Sequence, residues 1–308
     1  MRYLHLDVFT STPFQGNQLA VFPDAGDLPT ATMQAIAKEM AFSETTFVFP
    51  PEQGGDARMR IFTPGEELPM AGHPTIGSTF ALAMEGMIAR HRERFVFELG
   101  VGPIPVSLEW SADGDLAFVW MTQPPPTFGG EIRNREALAA AVGIEERALL
   151  ANLPVQVVSC GVPFLFVPIA TRAAVDAVSV DRRALRRVFE SDRLDEVPVF
   201  FFTTEKGPDG STVYSRMLAP GFGIPEDPAT GGASGPLGCY LLRHDIVTAD
   251  EAREMVSLQG VAMGRPSRVH ISIDGEQDRI TRVRVGGRSV LVGHGELVVD
   301  RAILSPTS

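Results

Sequence analysis

The chain is poor in cysteine, lacks any long apolar run and carries no basic cluster, and each shortage removes a class of protein. Cys160 and Cys239 are the only thiols in 308 residues. Two are too few for a disulfide framework or a zinc site, and they fit a reducing compartment. No stretch approaches 18 apolar residues, so no membrane span is expected. At the N-terminus, His5 and Asp7 interrupt what a signal peptide would need as an unbroken apolar region. A cytoplasmic enzyme or binding protein is the simplest expectation. Basic residues number 27 against 38 acidic ones, for a net charge of −11. An acidic surface repels phosphate backbones, so nucleic acid is not an expected partner, and neither is a membrane.

Several catalytic signatures are also missing. There is no H-E-x-x-H, no paired C-x-x-C, no phosphate-binding G-x-x-x-x-G-K-[ST] and no G-x-G-x-x-G after a strand. Gly232-Ala233-Ser234-Gly235-Pro236 superficially resembles a nucleophile elbow, but Pro236 stands where that turn needs its last glycine. No metal site is expected.

What is present is ordinary globular composition, 44% apolar and 21% charged with a mean hydropathy of +0.07. The length favours two domains. Alternation at Leu4, Leu6 and Val8 reads as a strand, as do 19–22, 45–49, 58–62, 95–99 and 116–121. Met33, Ile36, Ala37 and Met40 share a helical face entered through Pro29 and Thr30, and a second helix is expected over 74–85. Gln123-Pro124-Pro125-Pro126-Thr127 reads as a linker, since three prolines stiffen the chain and remove three donors. Beyond it, a surface helix is expected over 135–150 and strands over 155–158, 165–168 and 197–203. Domains are therefore expected at 1–123 and 128–308, the last segment being able to pack back on the first.

An internal repeat is more informative. Arg60, Pro64, Gly65 and Pro69 match Arg216, Pro220, Gly221 and Pro225 at one constant offset of 156 residues. Each copy reads as a strand, a proline-bounded turn and a glycine-containing helix start, followed by a strand ending near Leu99-Gly100-Val101 or Gln259-Gly260-Val261. Two similar halves would place a site where they face each other.

The two helix starts, Ala71-Gly72-His73-Pro74-Thr75 and Asp227-Pro228-Ala229-Thr230-Gly231-Gly232, could present amides and a positive dipole end to an anion. The bland alternative is plain N-capping by Thr75, Asp227 or Thr230. His73 could exchange a proton near neutral pH, and Asp227 offers a carboxylate. Glu44, flanked by Phe42 and Phe47, could have its carboxyl pKa raised by desolvation and serve as acid or base. Its bland alternative is an exposed glutamate at a strand edge. Both cysteines read as structural.

Taken in order, Phe14-Gln15-Gly16-Asn17, Ser43-Glu44-Thr45-Thr46, Ala71-Gly72-His73-Pro74, Glu226-Asp227 with Thr230-Gly231-Gly232, Gln259-Gly260 with Gly264-Arg265-Pro266-Ser267, and Gly293-His294-Gly295 resemble the PhzF family along almost the whole chain. The resemblance implies an α+β, diaminopimelate-epimerase-like fold of two similar domains, each a β-barrel-like sheet wrapped around a central helix. It also implies a homodimer, chemistry without a cofactor and a small substrate bearing a carboxylate. The family's catalytic glutamate matches Glu44, and its assisting histidine and aspartate match His73 and Asp227. Asn17, Gly72, Gly231 and Gly232 fall in the substrate-binding motifs. One departure is notable: the isomerases resemble D-x-A-T-G-S at the second helix start, and the serine position here is Gly232. Two other readings are kept. A thiol racemase of the same fold would carry a cysteine at each helix start, and a metabolite-binding protein without catalysis could keep the same architecture.

Overall fold

A computed structural model describes residues 1–299, so the expected domain end at 308 lies outside the described residues. The chain divides into two compact units. Among the described residues, one holds Met1–Met121 together with 286–299, and the other holds Thr122–Val285.

In the first unit the order is β1 (Arg2–Val8), β2 (Asn17–Phe22), α1 (Thr30–Met40), β3 (Glu44–Phe49), β4 (Ala57–Phe62), β5 (Glu67–Leu68), α2 (Gly72–Met84), β6 (Arg94–Leu99), β7 (Gly102–Trp110) and β8 (Leu116–Gln123). β2 and β3 run parallel, which requires a crossover, and α1 supplies it. The residues of α1 that face the sheet, Met33, Ile36 and Ala37, pack on Ala20, Phe22, Phe47, Phe49 and Phe62. Phe22 and Phe47 stack with centroids 4.9 Å apart. Each such ring contributes about 1.5–3 kcal/mol when withdrawn from water. Strand alternation sends β3's other face towards α2, a helix buried from Gly72 to Leu82. Gly77 lets that helix approach the sheet: a Cβ there would lie 2.5 Å from Leu19 and 2.6 Å from Val8.

The second unit continues with β9 (Thr127–Ile132), α3 (Arg135–Ala141), β10 (Val155–Ser159), β11 (Pro163–Pro168), α4 (Arg172–Asp176), α5 (Arg182–Ser191), β12 (Val199–Thr203), β13 (Val213–Ala219), β14 (Ile224–Asp227), α6 (Gly231–Arg243), β15 (Met255–Gln259), β16 (Ser267–Glu276) and β17 (Arg279–Gly287). Alternation in β12 again serves two layers. Phe200 and Phe202 pack with Tyr240 of α6, whereas Val199 and Phe201 pack with the α3 and α5 side chains. The last strand, β18 (Ser289–Glu296), pairs with β1 of the first unit.

The strand pairing reproduces the sequence repeat. β2–β3 and β11–β12 are parallel, β3–β4 and β12–β13 antiparallel, and β4–β6 and β13–β15 parallel. β18 pairs with β1 as β9 pairs with β10. This is the diaminopimelate-epimerase-like fold, with α2 and α6 as the central helices. One expected element is shorter than its pattern. The helix from Arg135 ends at Ala141, because Gly143 turns left-handed (φ 71°) and the Gly143 and Ile144 amides donate back to Ala140 and Ala139. Only a 3₁₀ turn, Glu146–Ala148, follows within 135–150. This helix also buries Leu138, Ala139 and Ala141, so it is half core. Gln123 closes β8 and Thr127 opens β9, which leaves only the three prolines between strands.

Candidate functional site

In the first unit three predicted residues converge. Glu44 opens β3 on the face that Thr46 shares, and Thr46 Oγ1 lies 2.8 Å from Ser78 Oγ in α2. That face brings Glu44 Oε2 to 3.2 Å from Nδ1 of His73, the second residue of α2. Asn17 Nδ2, from the start of β2, lies 3.5 Å from the same ring nitrogen. The Glu44 side chain is only 15% exposed and that of His73 5%. Glu44 is therefore not the water-exposed strand-edge residue of the bland reading. The turn before Asn17 demands glycine: Gly16 has φ 70°, and a Cβ would lie 2.3 Å from the Val8 carbonyl oxygen.

His73 differs from its sequence expectation. Burial drives its pKa down to about 3, outweighing the upward pull of a hydrogen bond with the Gln18 backbone. The imidazole is neutral around pH 7, so it serves as a hydrogen-bonding group and not as one that titrates near neutrality. Its Nε2 is buried with no hydrogen-bond partner among the described residues.

The second unit holds the other half of the expected set. Asp227 ends β14, and Thr230 Oγ1 donates to its Oδ2 at 2.5 Å. Gln259, fully buried at the end of β15, was not singled out as a side chain and organises this loop. Its Nε2 donates to the Asp227 carbonyl at 2.7 Å and to Thr230 Oγ1 at 3.0 Å, while its Oε1 accepts from the Thr230 amide at 3.1 Å. The Gln259-Gly260 motif was the available signal. Gln123 also reaches this helix start, its Nε2 donating to the Gly231 carbonyl at 3.0 Å.

Neither helix start carries a side-chain cap. Thr75 Oγ1 turns back to donate to the Ala71 carbonyl, and the Thr230 hydroxyl is committed to Asp227. Thr75 and Thr230 therefore do not cap these helices through their side chains. Gly72 and Gly231 are buried at the first positions of α2 and α6. Gly232 is open enough for a side chain, with the Phe164 ring 3.7–3.8 Å from an added Cβ.

The cysteines are not at these helix starts. Cys160 follows β10 and Cys239 lies in the body of α6, their sulfurs 4.0 Å apart in the second unit's core. The Cys160 contact and burial together hold the Cys239 thiol well above the usual range, so it is a protonated packing group. This arrangement lacks what a two-thiol racemase needs. Among the described residues, no group of three or more His, Cys, Asp or Glu could hold a metal ion, and no helix is long and apolar enough to cross a membrane.

The family model of phenazine biosynthesis-like proteins matches residues 6–295. The chain is 38% identical over 297 residues to the trans-2,3-dihydro-3-hydroxyanthranilate isomerase of Pseudomonas fluorescens, covering 96% of this chain and 99% of that one. Its structure resembles the crystal structure of a Bacillus anthracis phenazine biosynthesis protein of the PhzF family, with a TM-score of 0.85 at 26% identity over 97% and 99% of the two chains. A probable proline racemase from Agrobacterium radiobacter shares the fold alone, with a TM-score of 0.65 at 12% identity over 97% of this chain and 93% of that one.

Proposed function

From the premise that this chain belongs to the PhzF family and is an isomerase, we propose that it moves a proton on a small carboxylate-bearing substrate through Glu44, without a cofactor. The observation that carries this reading is the 3.2 Å approach of a largely buried Glu44 carboxyl to a neutral, fully buried His73. A carboxyl screened from water can take a proton from a substrate carbon and return it to another position of the same molecule. His73 would hold a substrate heteroatom by hydrogen bonding, since its ring carries no charge to offer. Asn17 would fix the His73 ring from the side opposite its partnerless nitrogen. Asp227 would polarise a second heteroatom, its carboxylate being oriented by Thr230 and, through the backbone, by Gln259. Helix-start amides, Gly72 in the first unit or Gly231 and Gly232 in the second, would take the substrate carboxylate.

The relative's substrate is the first compound to test. Incubation with trans-2,3-dihydro-3-hydroxyanthranilate, and with a panel of cyclic enols and amino acids, in D2O should give deuterium uptake by mass spectrometry in a carboxylate-bearing member. Uptake by none of them, with tight binding by calorimetry, would favour a metabolite-binding protein instead. The reading includes a homodimer and a cytoplasmic location, and light scattering of the purified chain checks the former.

A further inference from the structure

The Arg-Pro-Gly-Pro repeat has a use that the proton chemistry does not absorb. In both copies the repeated arginine grips a glutamate on the next short strand with two hydrogen bonds. Arg60 of β4 donates to Glu67 of β5 at 2.7 and 2.5 Å. Arg216 of β13 donates to Glu226 of β14 at 2.9 and 2.7 Å. Each glutamate precedes the first residue of its central helix, Gly72 or Gly231, by five positions. Such planar forks fix geometry as well as charge.

The copies then diverge. Arg60 and Glu67 are 22% and 37% exposed, and Arg60 Nη1 donates to Thr30 Oγ1 while the guanidinium lies over the Phe62 ring. Arg216 and Glu226 are only 11% and 15% exposed, and Arg216 Nη1 also donates to the carbonyls of Val175, Asp176 and Val178 at 3.0–3.1 Å. That anchors β13 to the C-terminal end of α4 and the turn after it. The residue after the glutamate differs too. Leu68 faces Ile61 across the strand pair, and the residue in the same register opposite Met217 is Asp227.

We infer that the Arg216–Glu226 fork is a positioning device for Asp227, holding the strand end from which that carboxylate reaches Thr230. Neither residue touches substrate in this account, and the inference rests on the role proposed above for Asp227. A loosened fork would let β14 shift, and the aspartate would lose its aim while the fold persisted.

A double-mutant cycle tests this on turnover of trans-2,3-dihydro-3-hydroxyanthranilate, or of whichever panel compound exchanges. Asp227→Asn should lower kcat/KM, and Glu226→Gln should lower it about tenfold in the same kinetic parameter. The double variant should match Asp227→Asn within about twofold, because the fork acts through a group already removed. Glu67→Gln, the counterpart without a following acid, should leave kcat/KM within about twofold of wild type. If Glu226→Gln fails to fold, Glu226→Asp keeps the charge, shortens the reach and enters the same cycle. Losses that multiply in the double variant, or a folded Glu226 variant of full activity, would overturn the inference alone. A fully active Asp227→Asn would overturn both it and the role of Asp227.

Discussion

In the first unit, the strand facing Arg60 carries Phe47 opposite that arginine and Glu44 three residues earlier. In the second, Phe201 lies opposite Arg216, and three residues earlier the chain has Pro198. At the second position of the central helix the first unit has His73 and the second has Gly232. Where the second unit has Asp227, the first has Leu68. The shared architecture therefore carries different groups in each copy: a buried acid beside a neutral imidazole in one, and in the other a carboxylate that accepts from a hydroxyl, with an amide side chain on its backbone carbonyl and an arginine fork on the residue before it. Packing residues kept their places, because Phe47 and Phe201 each fill the layer under a crossover helix. Polar residues at the loops and helix starts are free of that constraint and could diverge.

The two arginine forks give the largest expected contrast. Arg216→Ala should destabilise by about 3–5 kcal/mol, since it strands a largely buried glutamate and three carbonyls. Arg60→Ala should cost about 1 kcal/mol or less, because its partner is partly in water. Equal losses in denaturant unfolding would erase the distinction.

The next contrast is between the central helices. Gly77→Ala forces a Cβ against Leu19 and Val8 and should cost about 1–3 kcal/mol. At Gly232 a side chain meets only ordinary contact with Phe164. Gly232→Ser should therefore leave stability within about 0.5 kcal/mol.

His73 supplies a pH test. Its folded pKa of about 3 lies below the unfolded 6.5, so between those values the unfolded chain binds a proton that the folded chain does not. Stability attributable to this group is intact above pH 6.5 and declines as pH falls towards 3, by at most about 1.4 kcal/mol per pH unit. His73→Asn should flatten the stability curve by that amount across this window. An unchanged slope would mean that the ring is not buried neutral.

The smallest effect concerns recognition. Gly232→Ser restores the hydroxyl of the isomerase pattern, and should lower KM for trans-2,3-dihydro-3-hydroxyanthranilate about fivefold, the worth of a roughly 1 kcal/mol hydrogen bond. No change would place Gly232 away from that contact.

Much of this was legible because glycine and proline mark turns with little ambiguity and the repeat offset exposed the duplication. Glu44, His73 and Asn17 could be found from their motifs, and their convergence follows from strand alternation on β3. The bonded partner of each repeated arginine was hidden. Glu67 stands seven residues after Arg60, Glu226 stands ten after Arg216, and a 3₁₀ turn at Pro220–Phe222 absorbs the difference. Gln259 was masked similarly, as its partners lie some thirty residues away. Helix α5 was missed although Asp181 caps it and Leu185, Val188 and Phe189 give it a buried face. The end of α3 had a visible signal in Gly143 that the apolar periodicity overrode. The pairing of β18 with β1 depends on contacts nearly 290 residues apart, which no local pattern encodes.

The central claim is that proton transfer belongs to the first unit and rests on Glu44. Deuterium uptake from D2O into trans-2,3-dihydro-3-hydroxyanthranilate, or the panel compound that exchanges, measured for wild type, Glu44→Gln and Asp227→Asn, tests it most directly. Glu44→Gln should keep its thermal unfolding profile and lose about 10²–10⁴-fold in exchange rate, as removal of a general acid–base group does, while Asp227→Asn should exchange slowly but measurably. A folded Glu44→Gln variant that exchanges at the wild-type rate would contradict it.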